Sequence, residues 1–291
     1  QPDCIVADSM AVWGKAVAKK LGIPFVSSTT TFAFNRYSAK VMKQSFLELI
    51  SMLLAMPRIQ KDIKRLQSKG YPVRNVLELI SNDDTIDTIV YTSPEFQPCS
   101  ETFSEKFTFV GPILRLEEEP FEKKREKLVY ISMGTVNNDM LPLYRNCIQA
   151  LENTEYQVIL SVGNQVDISA FGNLPENVEV YPSVDQIAVL READVFLTHC
   201  GMNSVSEALY YGIPLLMLPK TKEQEGVAER VRQLGAGILL EVTTPAGIRS
   251  FVDTLLMDSS CRIKAREIAE GFRRCGGAAA AADKIESCCG K

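Results

Sequence analysis

The chain of 291 residues has one histidine, no C-x-x-C pair, no apolar run of membrane-spanning length and no block of one charge sign. Each absence excludes something. A single histidine, His199, makes a zinc site unexpected, and no metal is assigned. The cysteines are Cys4, Cys99, Cys147, Cys200, Cys261, Cys275 and the adjacent Cys288 and Cys289. Mostly isolated, they point to reduced thiols in a cytoplasmic protein and not to a disulfide framework. No stretch reaches the ~18 apolar residues of a membrane helix, so stable membrane insertion is not expected. The net charge of −4 comes without a basic stripe, and the mixed charges over residues 117–127 read as a solvated linker, so nucleic acid is not an expected partner. An initiator methionine and a signal peptide are also lacking, the chain opening on Gln1-Pro2-Asp3.

What is present is an ordinary globular composition, 46% hydrophobic and 23% charged, in a length that suggests about two domains. Strand and helix patterns alternate. Residues 4–7 read as a strand, 10–21 as a helix and 24–27 as the next strand, a βαβ unit that implies a parallel sheet. Residues 37–67 read as helix in two or more pieces broken near Pro57, 73–80 as a further helix, and 88–92 and 107–110 as strands. Beyond the linker, strands are expected at 128–132, 157–161, 178–181, 195–197, 214–218 and 237–240. Helices are expected at 141–151, 187–192, 205–211, 225–234, 246–257 and 260–285, the last interrupted at Gly276-Gly277. This is an α/β, doubly wound pattern.

The most informative stretch is 194–224, DVFLTHCGMNSVSEALYYGIPLLMLPKTKEQ. It reads as strand, polar glycine-bearing loop, helix and strand. The loop lies where a strand's carboxyl end meets a helix N-terminus, whose first N–H groups lack internal partners and favour anions. Asn203 and Ser204 add side-chain donors, and Gly201 admits close backbone approach. Glu207 shares a helix face with Asn203 and suits a pair of sugar hydroxyls. A diphosphate followed by a ribose fits this array. The alternative is that Ser204-Val205-Ser206-Glu207 is an S-x-x-E capping box with no ligand. Similarly, Glu223 and Gln224 suit sugar hydroxyls or a polar helix start, and Ser132-Met133-Gly134-Thr135 is a strand-to-helix turn that could face the same ligand.

THCGMNSVSEAL, then GIPLLMLP, then Glu223-Gln224 resembles the nucleotide-sugar signature of the UDP-glycosyltransferase superfamily, GT-B enzymes of family 1, and within it the bacterial macrolide and flavonoid glycosyltransferase branch. The resemblance implies two Rossmann-like domains facing a cleft, the N-terminal one incomplete. Residues 1–112 would be a partial acceptor domain, 113–127 a linker, 128–260 the donor domain, and 261–291 a terminal helix packing back toward the first domain. It implies inverting transfer of a hexose from a UDP-sugar, UDP-glucose foremost, to a hydroxyl of a small acceptor such as a macrolide or flavonoid, with no cofactor beyond the co-substrate. In that scheme His199, Gly201, Asn203, Ser204, Gly134 and Thr135 contact the donor diphosphate, His199 also helping the leaving group carry its charge. Glu207 takes the ribose, Ser183, Val184 and Gln186 frame the nucleobase, and Glu223 and Gln224 bind the sugar. Two positions depart from the pattern: Ser183 replaces an aromatic residue and Asp185 a proline.

CIVADSMAVWGKAVAKKLGIPFVSSTTTFAFN resembles the family's acceptor-domain strand and helix, where an aspartate after the strand orients a catalytic histidine. Asp8 is the matching residue, and its alternative role is to cap the following helix. The histidine itself would lie upstream of Cys4. The chain is therefore expected to be truncated at its N-terminus, to be inactive alone and to have its own missing segment as a partner. A non-catalytic nucleotide-sugar-binding protein on the same fold is the alternative.

Overall fold

The computed structural model describes residues 2–38, 46–75, 85–115, 120–135 and 139–289. The chain divides into two compact units, Gln1–Ile113 with Gly271–Lys291, and Leu114–Glu270.

In the first unit, β1 (Ile5–Asp8), β2 (Phe25–Thr29), β3 (Asp87–Val90) and β4 (Phe107–Phe109) form a parallel sheet in that order. Helix α1 (Val12–Leu21) buries Gly14, Ala16 and Ala18, the small face its sequence offers. Helix α2 runs from Phe46 to Ser68 without a break at Pro57, contrary to the two pieces expected. Proline removes one intrahelical hydrogen bond, and the remaining turns of a 23-residue helix carry it across the gap. Of the helix expected over 73–80, residues 73–75 are irregular and the rest lies outside the described residues. The terminal helix α9 (Gly277–Cys289) packs Ala281 and Cys288 against Val26, Ile89 and Val110. Asp87 fastens it through Lys284 at 2.7 Å and reaches Lys106 at 2.9 Å.

The second unit holds a six-stranded parallel sheet of β5 (Lys127–Ser132), β6 (Tyr156–Ser161), β7 (Val178–Tyr181), β8 (Val195–Thr198), β9 (Leu215–Met217) and β10 (Gly237–Leu239). Its spatial order is β10-β9-β8-β5-β6-β7. The chain winds outward from β5 to β7, returns to lay β8 beside β5, and winds outward again. Val129, Ile131, Val158, Leu160, Val195, Leu197 and Leu216 form the buried core with the apolar faces of α3 (Leu141–Leu151) and α7 (Pro245–Met257). At the amino end of the sheet Asp194 accepts from the Leu128 N–H at 3.0 Å and pairs with Lys123, Lys127 and Arg262. Burial pushes this carboxyl up, but the Lys123 hydrogen bond, the Leu128 N–H and the lysine charges more than offset it and hold it below its ordinary range.

Three shorter helices complete this unit: α4 (Gln186–Glu192), α5 (Met202–Tyr210) and α6 (Lys222–Gln233). Helix α8 (Ser260–Arg274) carries the chain out of it. Two helices start earlier than the sequence suggests, α5 at Met202 instead of residue 205 and α6 at Lys222 instead of 225. Polar first turns have no hydrophobic periodicity to mark them, yet they suit a helix N-terminus.

Candidate functional site

In a doubly wound sheet, ligands bind beyond the carboxyl ends of the strands where the winding reverses. Here that point lies between β5 and β8, paired through Ser132 and Thr198. The loops leaving these strands carry Met133-Gly134-Thr135 and His199-Cys200-Gly201.

The His199 imidazole lies against both glycines. A Cβ on Gly134 would come 2.6 Å from its Cε1 and 2.7 Å from its Nε2, and one on Gly201 would come 2.7 Å from Nε2. Gly134 also has φ +80°, which L side chains rarely adopt. The ring therefore occupies space that any other residue at either position would fill. Its Nδ1 is buried with no hydrogen-bond partner among the described residues. Burial lowers the basicity of the imidazole below its ordinary value, which favours the neutral ring in the free protein. Cys200, between His199 and Gly201, is held at φ 68°, a conformation uncommon for a residue with a Cβ. Its thiol is buried and pushed up to about 12, so it is a packing residue and not a nucleophile.

Gly201 is the N-cap of α5 and has no side chain with which to cap it. The N–H groups of Met202, Asn203 and Ser204 thus open toward the loop without intrahelical partners. Asn203 is exposed and Ser204 half-buried. The capping-box alternative for Ser204 and Glu207 does not hold, because Ser204 is the third helical residue and not the cap. The Glu207 carboxylate instead accepts from Gln186 Nε2 at 2.5 Å, and the same nitrogen lies 3.3 Å from Ser204 Oγ. Gln186 Oε1 in turn accepts from the Tyr130 hydroxyl at 3.3 Å. Burial raises the Glu207 carboxyl above its ordinary value, with the Gln186 bond and the charge of Arg115 acting the other way.

Ser183 is exposed and Val184 half-buried just before α4. Asp185 is the N-cap of α4 and accepts from the N–H groups of Ile187 at 3.0 Å and Ala188 at 3.3 Å. The substitution at this position therefore has a local structural use. Tyr181 donates its hydroxyl to Glu179 at 2.7 Å.

Glu223 and Gln224 lie in the first turn of α6, after β9. Thr221 and Gln224 form a capping box: Thr221 Oγ1 accepts from the Gln224 N–H at 3.3 Å, and Gln224 Oε1 accepts from the N–H groups of Thr221 at 3.2 Å and Lys220 at 2.8 Å. T-x-x-Q at 221–224 is the sequence signature of this box. Gln224 Oε1 is thus engaged with backbone, while Glu223 is exposed. The sequence reading also missed Tyr130, whose signal is a single polar-tipped residue in the apolar strand LVYIS.

In the first unit, Asp8 ends β1. Its Oδ1 accepts from the Met10 N–H at 2.8 Å and its Oδ2 from the Thr30 hydroxyl at 3.2 Å. Asp8 does not cap α1, whose N-cap is Ala11. Among the described residues no group of three or more His, Cys, Asp or Glu side chains is placed to hold a metal, and no helix is long and apolar enough to cross a membrane.

Residues 145–275 match the family described as erythromycin biosynthesis protein CIII-like, C-terminal domain. Across 299 aligned residues the chain is 34% identical to the NDP-glycosyltransferase YjiC of Bacillus licheniformis, covering 99% of this chain and 72% of that protein. Two crystal structures superpose on nearly all of it. The calicheamicin glycosyltransferase CalG4 does so with a TM-score of 0.85 and 31% identity, over 100% of this chain and 74% of that one. The kitacinnamycin glycosyltransferase does so with a TM-score of 0.87 and 29% identity, over 99% and 76%.

Proposed function

Because this chain belongs to the family 1 UDP-glycosyltransferases, enzymes of GT-B fold that transfer sugars, we propose that it takes a hexose from a UDP-sugar, UDP-glucose foremost, to a hydroxyl of a small acceptor such as a macrolide or flavonoid. The observation that carries the donor side is the array at the winding reversal: an uncapped helix N-terminus, His199 seated between Gly134 and Gly201, and the Glu207 carboxylate one turn further on.

In this reading the diphosphate sits on the N–H groups of α5, with Asn203, Ser204, Gly134 and Thr135 around it. The unpartnered face of His199 supplies a further hydrogen bond. A diphosphate beside the ring would reverse the effect of burial and favour the imidazolium. When the acceptor oxygen attacks the anomeric carbon from the opposite side, the bond to the diphosphate breaks and its electrons leave with UDP. The helix N-terminus and His199 then stabilise that charge with no metal required. Glu207 takes ribose hydroxyls, Ser183, Val184 and Gln186 frame the base, and Glu223 with the free amide protons of Gln224 takes the hexose. Eight free cysteines fit a cytoplasmic setting.

Asp8 would orient the general base and stabilise its cation. The longer of its two hydrogen bonds, to Thr30, is the one to exchange. With His199 on the diphosphate, these 291 residues hold no second histidine for Asp8 to orient, so the base would be supplied from outside them. That observation also supports the second reading, a nucleotide-sugar-binding protein that does not turn over.

Calorimetry with UDP, TDP and their glucose conjugates tests the donor site. Binding of UDP and UDP-glucose is expected, and failure of all four to bind would sink the assignment. Mass spectrometry of a flavonoid or macrolide acceptor incubated with UDP-glucose, with imidazole added as an external base, separates the two readings: a glycosylated product supports transfer, and UDP binding with no product even when the base is supplied favours the second.

A further inference from the structure

We propose that Tyr130 is a positioning residue for nucleotide recognition, its buried hydroxyl fixing the Gln186 amide and, through it, the Glu207 carboxylate in the orientation that receives ribose hydroxyls. This rests on Glu207 being the ribose ligand.

Tyr130 lies in the middle of β5 with 1% of its surface exposed. A buried phenol needs a hydrogen-bond partner, and its location here is set by packing. The ring stacks on Phe196, its paired residue on β8, with centroids 4.8 Å apart and planes 12° from parallel. Neither ring can turn without losing that contact. The hydroxyl is thereby held at a set height beneath the carboxyl edge of the sheet. There the phenol donates its proton to Gln186 Oε1 at 3.3 Å.

That proton decides which way the amide faces. A primary amide can exchange its oxygen and nitrogen by a half-turn at almost no steric cost. With Oε1 held by Tyr130, Nε2 faces Glu207 and Ser204, as observed. The reversed amide would set an oxygen against the carboxylate. Glu207 is partly desolvated, so losing its donor would raise its carboxyl further and weaken it as an acceptor for two hydroxyls.

The test is Tyr130→Phe in the full chain, which keeps the stacked ring and removes only the hydroxyl. Calorimetry with UDP and with 2′-deoxyuridine diphosphate is expected to show UDP affinity falling ~3–10-fold, the magnitude of one hydrogen bond, with smaller loss for the deoxy ligand. The ratio of the two affinities should shrink, and the acid side of the UDP-binding profile should move to higher pH. In a Glu207→Gln background the same substitution should have no further effect. A merely structural role would weaken both ligands equally and additively, and that result would overturn the proposal. Should Tyr130→Phe fold poorly, Gln186→Met removes the same relay from a half-buried position and must reproduce the changed ratio. UDP binding that neither variant alters would sink this proposal alone. No UDP binding by the unaltered chain would sink the ribose reading and this one with it.

Discussion

At the scale of the residue, the candidate site depends on what two glycines leave out. The space that side chains at 134 and 201 would fill is occupied by the His199 ring. Gly134→Ala adds a Cβ 2.6 Å from the imidazole and forces alanine to φ +80°, costing about 1–2 kcal/mol in backbone strain alone. Loss of UDP binding larger than loss of thermal stability is the expected result, read by calorimetry and melting together. His199 should titrate below 6.5 in the free protein by NMR and move upward when UDP is added. Since folding lowers the affinity of this group for protons, its contribution to stability is present above 6.5 and is lost as pH falls through the folded value.

Two carboxylates and an amide in the same motif separate by their hydrogen bonds. Glu207→Ala should weaken UDP binding with little change in melting, because Glu207 caps nothing. A large fall in melting with unchanged affinity would contradict this. Gln224→Ala should cost about 1 kcal/mol of stability, because Gln224 closes the capping box of α6. Exposed Glu223→Ala should leave melting unchanged.

At the scale of the element, strand β8 is held at both ends by different means. Its carboxyl end leads to the His199 loop, while its amino end is pinned through Asp194 by Lys123, Lys127 and Arg262. Removing the charge with Asp194→Asn leaves these cations without their shared partner and is expected to cost about 3–5 kcal/mol at neutral pH by chemical denaturation. The folded carboxyl sits below 3.8, so the stabilisation is complete above that value and disappears as pH drops through the folded one. The gap between the two proteins should therefore narrow in acid.

Local pattern located most elements of this kind. The apolar strands 128–132, 157–161 and 195–197 are close to β5, β6 and β8, because a strand buried on both faces is a short continuous apolar run. The pattern failed at polar first turns, as at Lys222, and at Pro57, where a break was expected and the helix continues.

At the scale of the whole molecule, the two units carry different halves of the proposed chemistry: Asp8 in one, the His199 and Glu207 array in the other. The 291-residue chain alone is expected to bind UDP and to give no transfer. Glycosylated product from it would show that a base other than a histidine partner of Asp8 serves.

Residue order along the chain was enough for the parallel α/β class and for singling out the stretch 194–224 and Asp8 as candidates, because these depend on periodicity and on groups close in sequence. Folding decided the rest. It laid β8 beside β5 and so brought Gly134 to His199, and it carried Gln186 and Tyr130 to Glu207, 21 residues from the first of them and much further from the second. Which of two competing hydrogen bonds a side chain makes depends on such neighbours. Ser204 and Glu207 could have capped a helix by their spacing alone, and it is the start of α5 at Met202, with Gly201 as its N-cap, that leaves them out of that role.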